Sequence, residues 1–214
     1  MRKEIPVFPL PSALLLPGVM LPLHVFEPRY KKMVEAVQAR GKHLAVAWAR
    51  VEEGVLEPCE VACAGSVQIL REYEGGRKDI LVSGRTRVRL IEYVQEVPYR
   101  VARCEPLPMV GMPQAPYARR LRELKKAFAR WVFLGFRDAD RVIHYLNALH
   151  DLDSLANFIV YHFVGDLASK QSYLEMDGLE EKTGRLLDFV RNETRALESH
   201  INLLRPSRED ETTN

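Results

Sequence analysis

At 214 residues the chain is long enough to build a core without disulfide or metal staples, and 47% hydrophobic with 28% charged residues is the balance of an ordinary folded protein. A net charge of +2 is too small to imply a nucleic-acid binder, and three cysteines make no disulfide framework. No apolar run reaches the ~18 residues that would span a membrane, and prolines at 6, 9 and 11 interrupt the start that a secretory signal would need, so a reducing, cytoplasmic setting is expected.

Taken in chain order, the first hundred residues read as strands. Short extended pieces at 5–8, 13–16 and 19–23 are punctuated by proline. A helix then interrupts. Pro28 stands in its first turn, where a missing N–H costs nothing. Tyr30, Met33, Val34 and Val37 fall at i, i+3, i+4 and i+7, one apolar stripe, and Gly41 closes the helix. Strands rich in Val, Ile and Leu follow at 43–51, 59–73, 79–93 and 99–107. EGGRKD (74–79) reads as a hairpin turn whose paired glycines supply positive φ. Gly65 and Gly84 mark bends or breaks in the long strands.

PLPMVGMPQAPY (106–117) holds four prolines and one glycine, a linker composition. Beyond it the period is helical, at 118–135, 139–149, 154–165 and 169–176, with Asp138 and Asp153 as expected N-caps. A long last helix runs from Leu179 to Leu204. Along it Leu187, Val190, Thr194, Leu197, Ile201 and Leu204 alternate spacings of three and four, a short coiled-coil seam. The seam is expected to dock on its own bundle, with self-association as the alternative. The division that results is a β-rich subdomain over 1–107, a linker over 108–116, a helical bundle over 117–205 and a disordered tail over 206–214.

Motifs that carry chemistry are absent. There is no glycine-rich phosphate loop, no H-E-x-x-H and no G-x-S-x-G elbow. No two of the six histidines lie four apart on a helix, so none is set to chelate. Cys59 and Cys63 resemble half a metal site, but on a straight strand they stand about 13 Å apart, against about 4 Å for thiolates sharing a zinc. Ser169 and Lys170 are neighbours whose side chains diverge by about 100° on a helix. No catalytic residue, metal or cofactor is expected. Arg85, Arg87 and Arg89 recur at period two, which on a strand places all three on one face. That face is either solvated, beside Glu92 and Glu96, or an anion-binding surface for RNA or an acidic peptide.

Four segments carry a family resemblance. VFPLPSALLLPGVMLPLHVFEPRYKKMVEA (7–36) resembles the opening signature of the Lon protease amino-terminal, substrate-binding domain. GSVQI (65–69) with GRKDILVSGRTRVRL (76–90), then YRVARCEPL (99–107), are similar to its hairpin and following strands, and residues 155–197 to its helical half. The resemblance implies an α+β fold: a β-rich, PUA-like pseudo-barrel, then a helical bundle ending in a long helix. It implies a non-catalytic module, since the ATPase and serine–lysine protease domains that follow in the full protease have no counterpart here. The chain is therefore expected to be a stand-alone substrate-binding-domain protein. Its expected partners are unfolded or partly folded polypeptides and a Lon-type protease that uses it as an adaptor; RNA is the alternative ligand. Met109, Met112 and Tyr117, beside the linker, are the candidate polypeptide contacts, since flexible methionines suit promiscuous surfaces. His24, Glu27, Pro28, Arg29 and Tyr30 are expected to be structural: a strand end bonded to its turn, a carboxylate at a helix N-terminus, and the start of the buried stripe.

Overall fold

The computed structural model describes residues 3–39, 41 and 43–204. The tail expected at 206–214 lies outside the described residues. The described residues form seven strands and six α-helices: β1 Lys3–Leu10, β2 Met20–Val25, α1 Pro28–Ala39, β3 His43–Glu52, β4 Val55–Pro58, β5 Val61–Glu72, β6 Lys78–Gln95, β7 Val101–Pro106, α2 Gln114–Gly135, α3 Ala139–Ala148, α4 Leu152–Phe163, α5 Leu167–Glu175 and α6 Leu179–Leu204. The contacts divide it into two compact units. One takes Met1–Val110 with Asn157–Gly178, the other Gly111–Ala156 with Leu179–Asn214.

The first unit is a β-rich pseudo-barrel. The strand order β1-β7-β6-β5-β3 returns to β1, because β1 also pairs in parallel with β3, Val7 opposite Ala45 and Leu10 opposite Trp48. Side chains alternate across the ring with period two. Val7, Ala45, Ala64, Val88 and Cys104, drawn from all five strands, pack together inside it. Their immediate neighbours Phe8, Val46 and Cys63 face the other side, against α1 and β2. Five of the interior residues are alanine, which suits the narrow lumen of a five-stranded ring. On α1 the expected stripe of Tyr30, Met33, Val34 and Val37 is buried on that outer layer.

Two glycines permit close crossings. A Cβ on Gly84 would stand 2.2 Å from Leu16 O, and one on Gly65 2.4 Å from Ser83 O. Gly84 exchanges main-chain bonds with the incoming loop, its N–H donating to Val19 O and its carbonyl accepting from Gly18 N. That loop explains the first difference from the sequence reading. Residues 13–16 form no strand. Leu14, Leu15 and Leu16 are buried, but their chain crosses the sheet at Gly84 instead of running along a strand. The second difference is β4, which the sequence reading passed over. It closes on β3 through Glu53 (φ 49°) and Gly54 (φ 80°), the two positive angles of a tight hairpin. The glycines of the turn after β5, Gly75 and Gly76, have φ 76° and 75° as their sequence implies.

The second unit is helical. Leu124, Phe128, Trp131 and Val132 form the buried stripe of α2, and Trp131 meets Phe189 of α6 edge to face, 5.8 Å between ring centroids. Leu187, Val190 and Thr194 of the seam are buried, and a Cβ on Gly135 of α2 would stand 2.8 Å from Leu197 Cδ1, so the seam packs on α2. Lys182 is fully buried and ion-pairs with Asp153 at 2.8 Å. Asp153 is thus not a cap. Asp151 caps α4, accepting from Ser154 N at 2.7 Å. Asp138 caps α3 with its backbone only, while Asp166 caps α5 by accepting from Ser169 N at 2.7 Å. The compact units cut across the sequential division expected at 1–107 and 117–205, since Asn157–Gly178 packs with the strands. The expected linker is also partly fastened to them: Val110 N donates to Asp177 O at 2.7 Å.

Candidate functional site

The signature stretch builds a small apolar recess in the first unit. β2 ends at Val25, Glu27 accepts main-chain bonds from Tyr30 N and Lys31 N, and α1 begins at Pro28. His24 pairs across strands with Asp79, its Nδ1 2.6 Å from Asp79 Oδ1, and Tyr73 O–H donates to Asp79 Oδ2 at 2.5 Å. The bond expected from His24 to the turn is therefore a bond to β6. The hydrogen bond from His24, followed by that from Tyr73, holds the Asp79 carboxyl below the usual carboxylate range. Arg29 Nε donates to Glu27 Oε2 at 2.9 Å and its guanidinium lies 4.6 Å from the Tyr30 ring centre, while Tyr30 packs on Phe8. These polar groups, paired as they are, form one side of the recess, and apolar side chains form the rest. Phe8, Pro9, Leu10, Leu23, Phe26 and Leu56 line a recess of about 210 Å³, and Phe26 is 60% exposed beside it. The sequence reading missed Phe26 and Leu56. The available signal was an aromatic residue between a buried strand end and a helix cap.

A larger cavity of about 650 Å³ opens at one end of the barrel, lined by Ile5, Val37, Ala64, Val88 and Cys104, with Lys3, Glu4, His43, Arg85 and Gln95 also around it. Burial pushes the Cys104 thiol up to about 11, so it is a neutral wall group.

The arginine face does not form. Ala64 pairs with Thr86 and Gly65 with Gly84, so Arg85 is the extra residue of a β-bulge and the alternation breaks there. Arg85 faces the barrel cavity and Arg89 a shallow hollow beside Arg50, Glu57 and Glu60. Arg87, 3% exposed, donates to the carbonyls of Leu174 (2.8 Å), Met176 (2.6 Å) and Pro108 (3.3 Å) and pairs with Asp177 at 3.1 Å. It is a fastening for the end of α5. Met109 and Met112 are half-buried, in the first and second unit respectively. Tyr117 is committed to α4, donating to Asp151 Oδ1 at 3.0 Å and accepting from Leu152 N at 2.8 Å. Cys63 and Cys104 belong to different core layers. Among the described residues no three His, Cys, Asp or Glu side chains gather as a metal site, and no helix is long and apolar enough to cross a membrane.

A family model described as the ATP-dependent protease La (LON) substrate-binding domain matches residues 4–192. Lon protease of Escherichia coli (strain K12) is 26% identical over 196 residues, which cover 90% of this chain and 25% of that protein. Lon protease 1 of Thermus thermophilus is 26% identical over 200 residues, covering 89% and 25%. The chain thus spans about a quarter of the length of these relatives. Among solved structures, the N-terminal domain of Mycobacterium avium complex Lon protease aligns with a TM-score of 0.69 at 22% identity, over 90% of this chain and 98% of that one. The Lon N-terminal domain protein from Xanthomonas campestris aligns with a TM-score of 0.61 at 19% identity, over 87% and 98%. The matched region is the non-catalytic one; no ATPase or protease domain is covered.

Proposed function

The chain belongs to the Lon substrate-binding domain family, and from that premise we propose that it is a polypeptide-recognition module that serves as an adaptor or regulator in protein quality control. The observation that carries the reading is the recess at the entry to α1, where the exposed Phe26 ring stands beside a wall of Phe8, Leu10, Leu23 and Leu56. An aromatic ring at an apolar recess has the make-up of a recognition pocket, where a lone surface residue does not. Unfolded and partly folded polypeptides offer the matching chemistry, apolar side chains that a folded protein would bury. Because His24, Glu27 and Arg29 are paired among themselves and their neighbours, the recess asks for apolar shape more than for a particular bonding pattern. Met109 and Met112 are the secondary candidates for contact. A Lon-type protease is the proposed recipient of the bound chain. The RNA alternative, drawn from the PUA-like fold and the ladder of Arg85, Arg87 and Arg89, is the less supported reading, since Arg85 is the extra residue of the bulge and Arg87 is buried.

The test is fluorescence anisotropy with a labelled, permanently unfolded polypeptide. Wild type is expected to bind at micromolar concentration, and Phe26→Ser to weaken binding at least about fivefold, roughly 1 kcal/mol, with an unchanged melting temperature. No binding up to high micromolar concentration overturns the reading.

A further inference from the structure

The cavity of about 650 Å³ at the end of the barrel is apolar at its floor and cationic around it. Val37, Ala64, Val88 and Cys104 make the floor, each at most 6% exposed, and Ile5 and Val101 are half-buried walls. Alanine at 64 leaves space that a larger side chain would fill. Two cations, Lys3 and Arg85, belong to the lining and are exposed. Arg85 owes its place to the β-bulge: as the extra residue between Gly84 and Thr86 it leaves the alternation of β6 and is turned to the cavity. Neither cation forms an ion pair or a hydrogen bond among the described residues. The one carboxylate in the described lining, Glu4, is paired with Arg103 at 3.6 Å. The other polar side chains there are already bonded. Gln95 Nε2 donates to Tyr99 O at 2.8 Å, Thr86 Oγ1 to Arg87 O at 3.3 Å and the Cys104 thiol to Ala102 O at 3.4 Å, while His43 bonds Gly41 O. The volume is in the range of small-ligand sites. The cavity thus combines an apolar floor with unpaired positive charge.

We infer that this cavity binds a small amphipathic carboxylate of the fatty-acid class, its hydrocarbon chain on the floor of Val37, Ala64, Val88 and Cys104 and its carboxylate on Arg85 and Lys3. A hydrocarbon chain asks for no bonds from that floor and gains by leaving water. A peptide segment in the same place would bring main-chain N–H and C=O groups against an apolar wall that leaves them unpaired, which is costly. At the other end of the ligand, an arginine matches a carboxylate with two parallel N–H donors, and Lys3 adds a second, mobile charge. The Cys104 thiol, raised to about 11 by burial, stays neutral and does not repel an anion. The inference goes beyond the polypeptide-recognition reading and does not rest on it, since the Phe26 recess and this cavity share no lining residue.

The experiment is isothermal titration calorimetry of the full chain with octanoate, against octanol and octylammonium, which share its tail and differ in charge. Octanoate is expected to bind at a single site, about tenfold or more tightly than octanol, and octylammonium not to bind. Arg85→Gln, at an exposed position, is expected to remove the preference for the acid without moving the melting temperature. Phe26→Ser is expected to leave octanoate binding unchanged. Methyl NMR spectra locate the tail: Ile5, Val37 and Val88 are expected to shift on adding octanoate, and Leu10 and Leu23 of the other recess to stay in place. Equal binding of octanoate and octanol, an unchanged preference in Arg85→Gln, or shifts confined to the Phe26 recess each overturn the inference, and so does no binding of octanoate. Absence of octanoate binding with retained, Phe26-dependent binding of unfolded polypeptide sinks this inference alone.

Discussion

At the scale of single residues, Arg87 shows how a pattern misleads when its register breaks. Period two put it in line with Arg85 and Arg89 on an open face, yet it is buried and its donors serve three carbonyls and Asp177. Arg87→Ala leaves those acceptors desolvated and unpaired, and is expected to cost about 3–5 kcal/mol, read as a shift in the urea midpoint at constant slope. The carboxylates set the pH response. The His24 bond, then the Tyr73 bond, lowers Asp79, and the Ser169 N–H lowers Asp166. At Asp151 burial works upward, but the bonds from Ser154 and Tyr117 outweigh it. A carboxyl whose folded value lies below its unfolded one adds stability above the unfolded value, near pH 4, and loses it as pH falls through the folded value. The melting temperature is therefore expected to fall as pH drops below about 4, and to fall less steeply in Asp166→Asn, checked by thermal melts across pH.

At the scale of elements, two glycines make opposite cases. A Cβ at Gly84 would meet backbone, Leu16 O at 2.2 Å, where the loop between β1 and β2 crosses β6. Backbone on both sides leaves no cheap relief. A Cβ at Gly135 would meet Leu197 Cδ1 at 2.8 Å, the far end of a flexible side chain. Gly84→Ala is expected to cost about 3 kcal/mol, lowering the melting temperature by roughly 6–12 °C for a chain of this size. Gly135→Ala is expected to cost under about 1 kcal/mol, since replacing glycine within a helix repays part of the adjustment. Paired thermal melts check both. The helices were legible down to the stripe on α1, because an apolar period of 3.6 reports directly on a helix with one buried face. The caps were less so. Asp151 and Asp153 stand two residues apart, and only Lys182, arriving from α6, decides which of them is left to cap α4.

At the scale of the whole molecule, helical periodicity identified α5 and said nothing of its neighbours. Gln171 donates to Val61 O at 2.9 Å, and the α5 end takes Arg87, so this helix completes the β-rich unit. A fragment ending at residue 107 would strip those partners from β5 and β6. It is expected to lack cooperative unfolding by circular dichroism, whereas a fragment ending at 178 retains all the segments of that unit. The sequence by itself determined the α+β class, the α1 stripe, the glycine turn after β5, the long last helix and the family, because each is written in local period, turn chemistry or a contiguous motif. In LPLHVFEPRY, which the sequence reading assigned to architecture, His24 bonds Asp79 and Arg29 bonds Glu27. The folded molecule alone shows that Arg87 is buried, that Asn157–Gly178 packs with the strands, that Phe26 and Leu56 line one recess, and that β1 passes from β7 to β3 midway. Each of these depends on residues far apart in the chain and on a one-residue bulge, and a sequence period carries no record of which distant surface a side chain will meet.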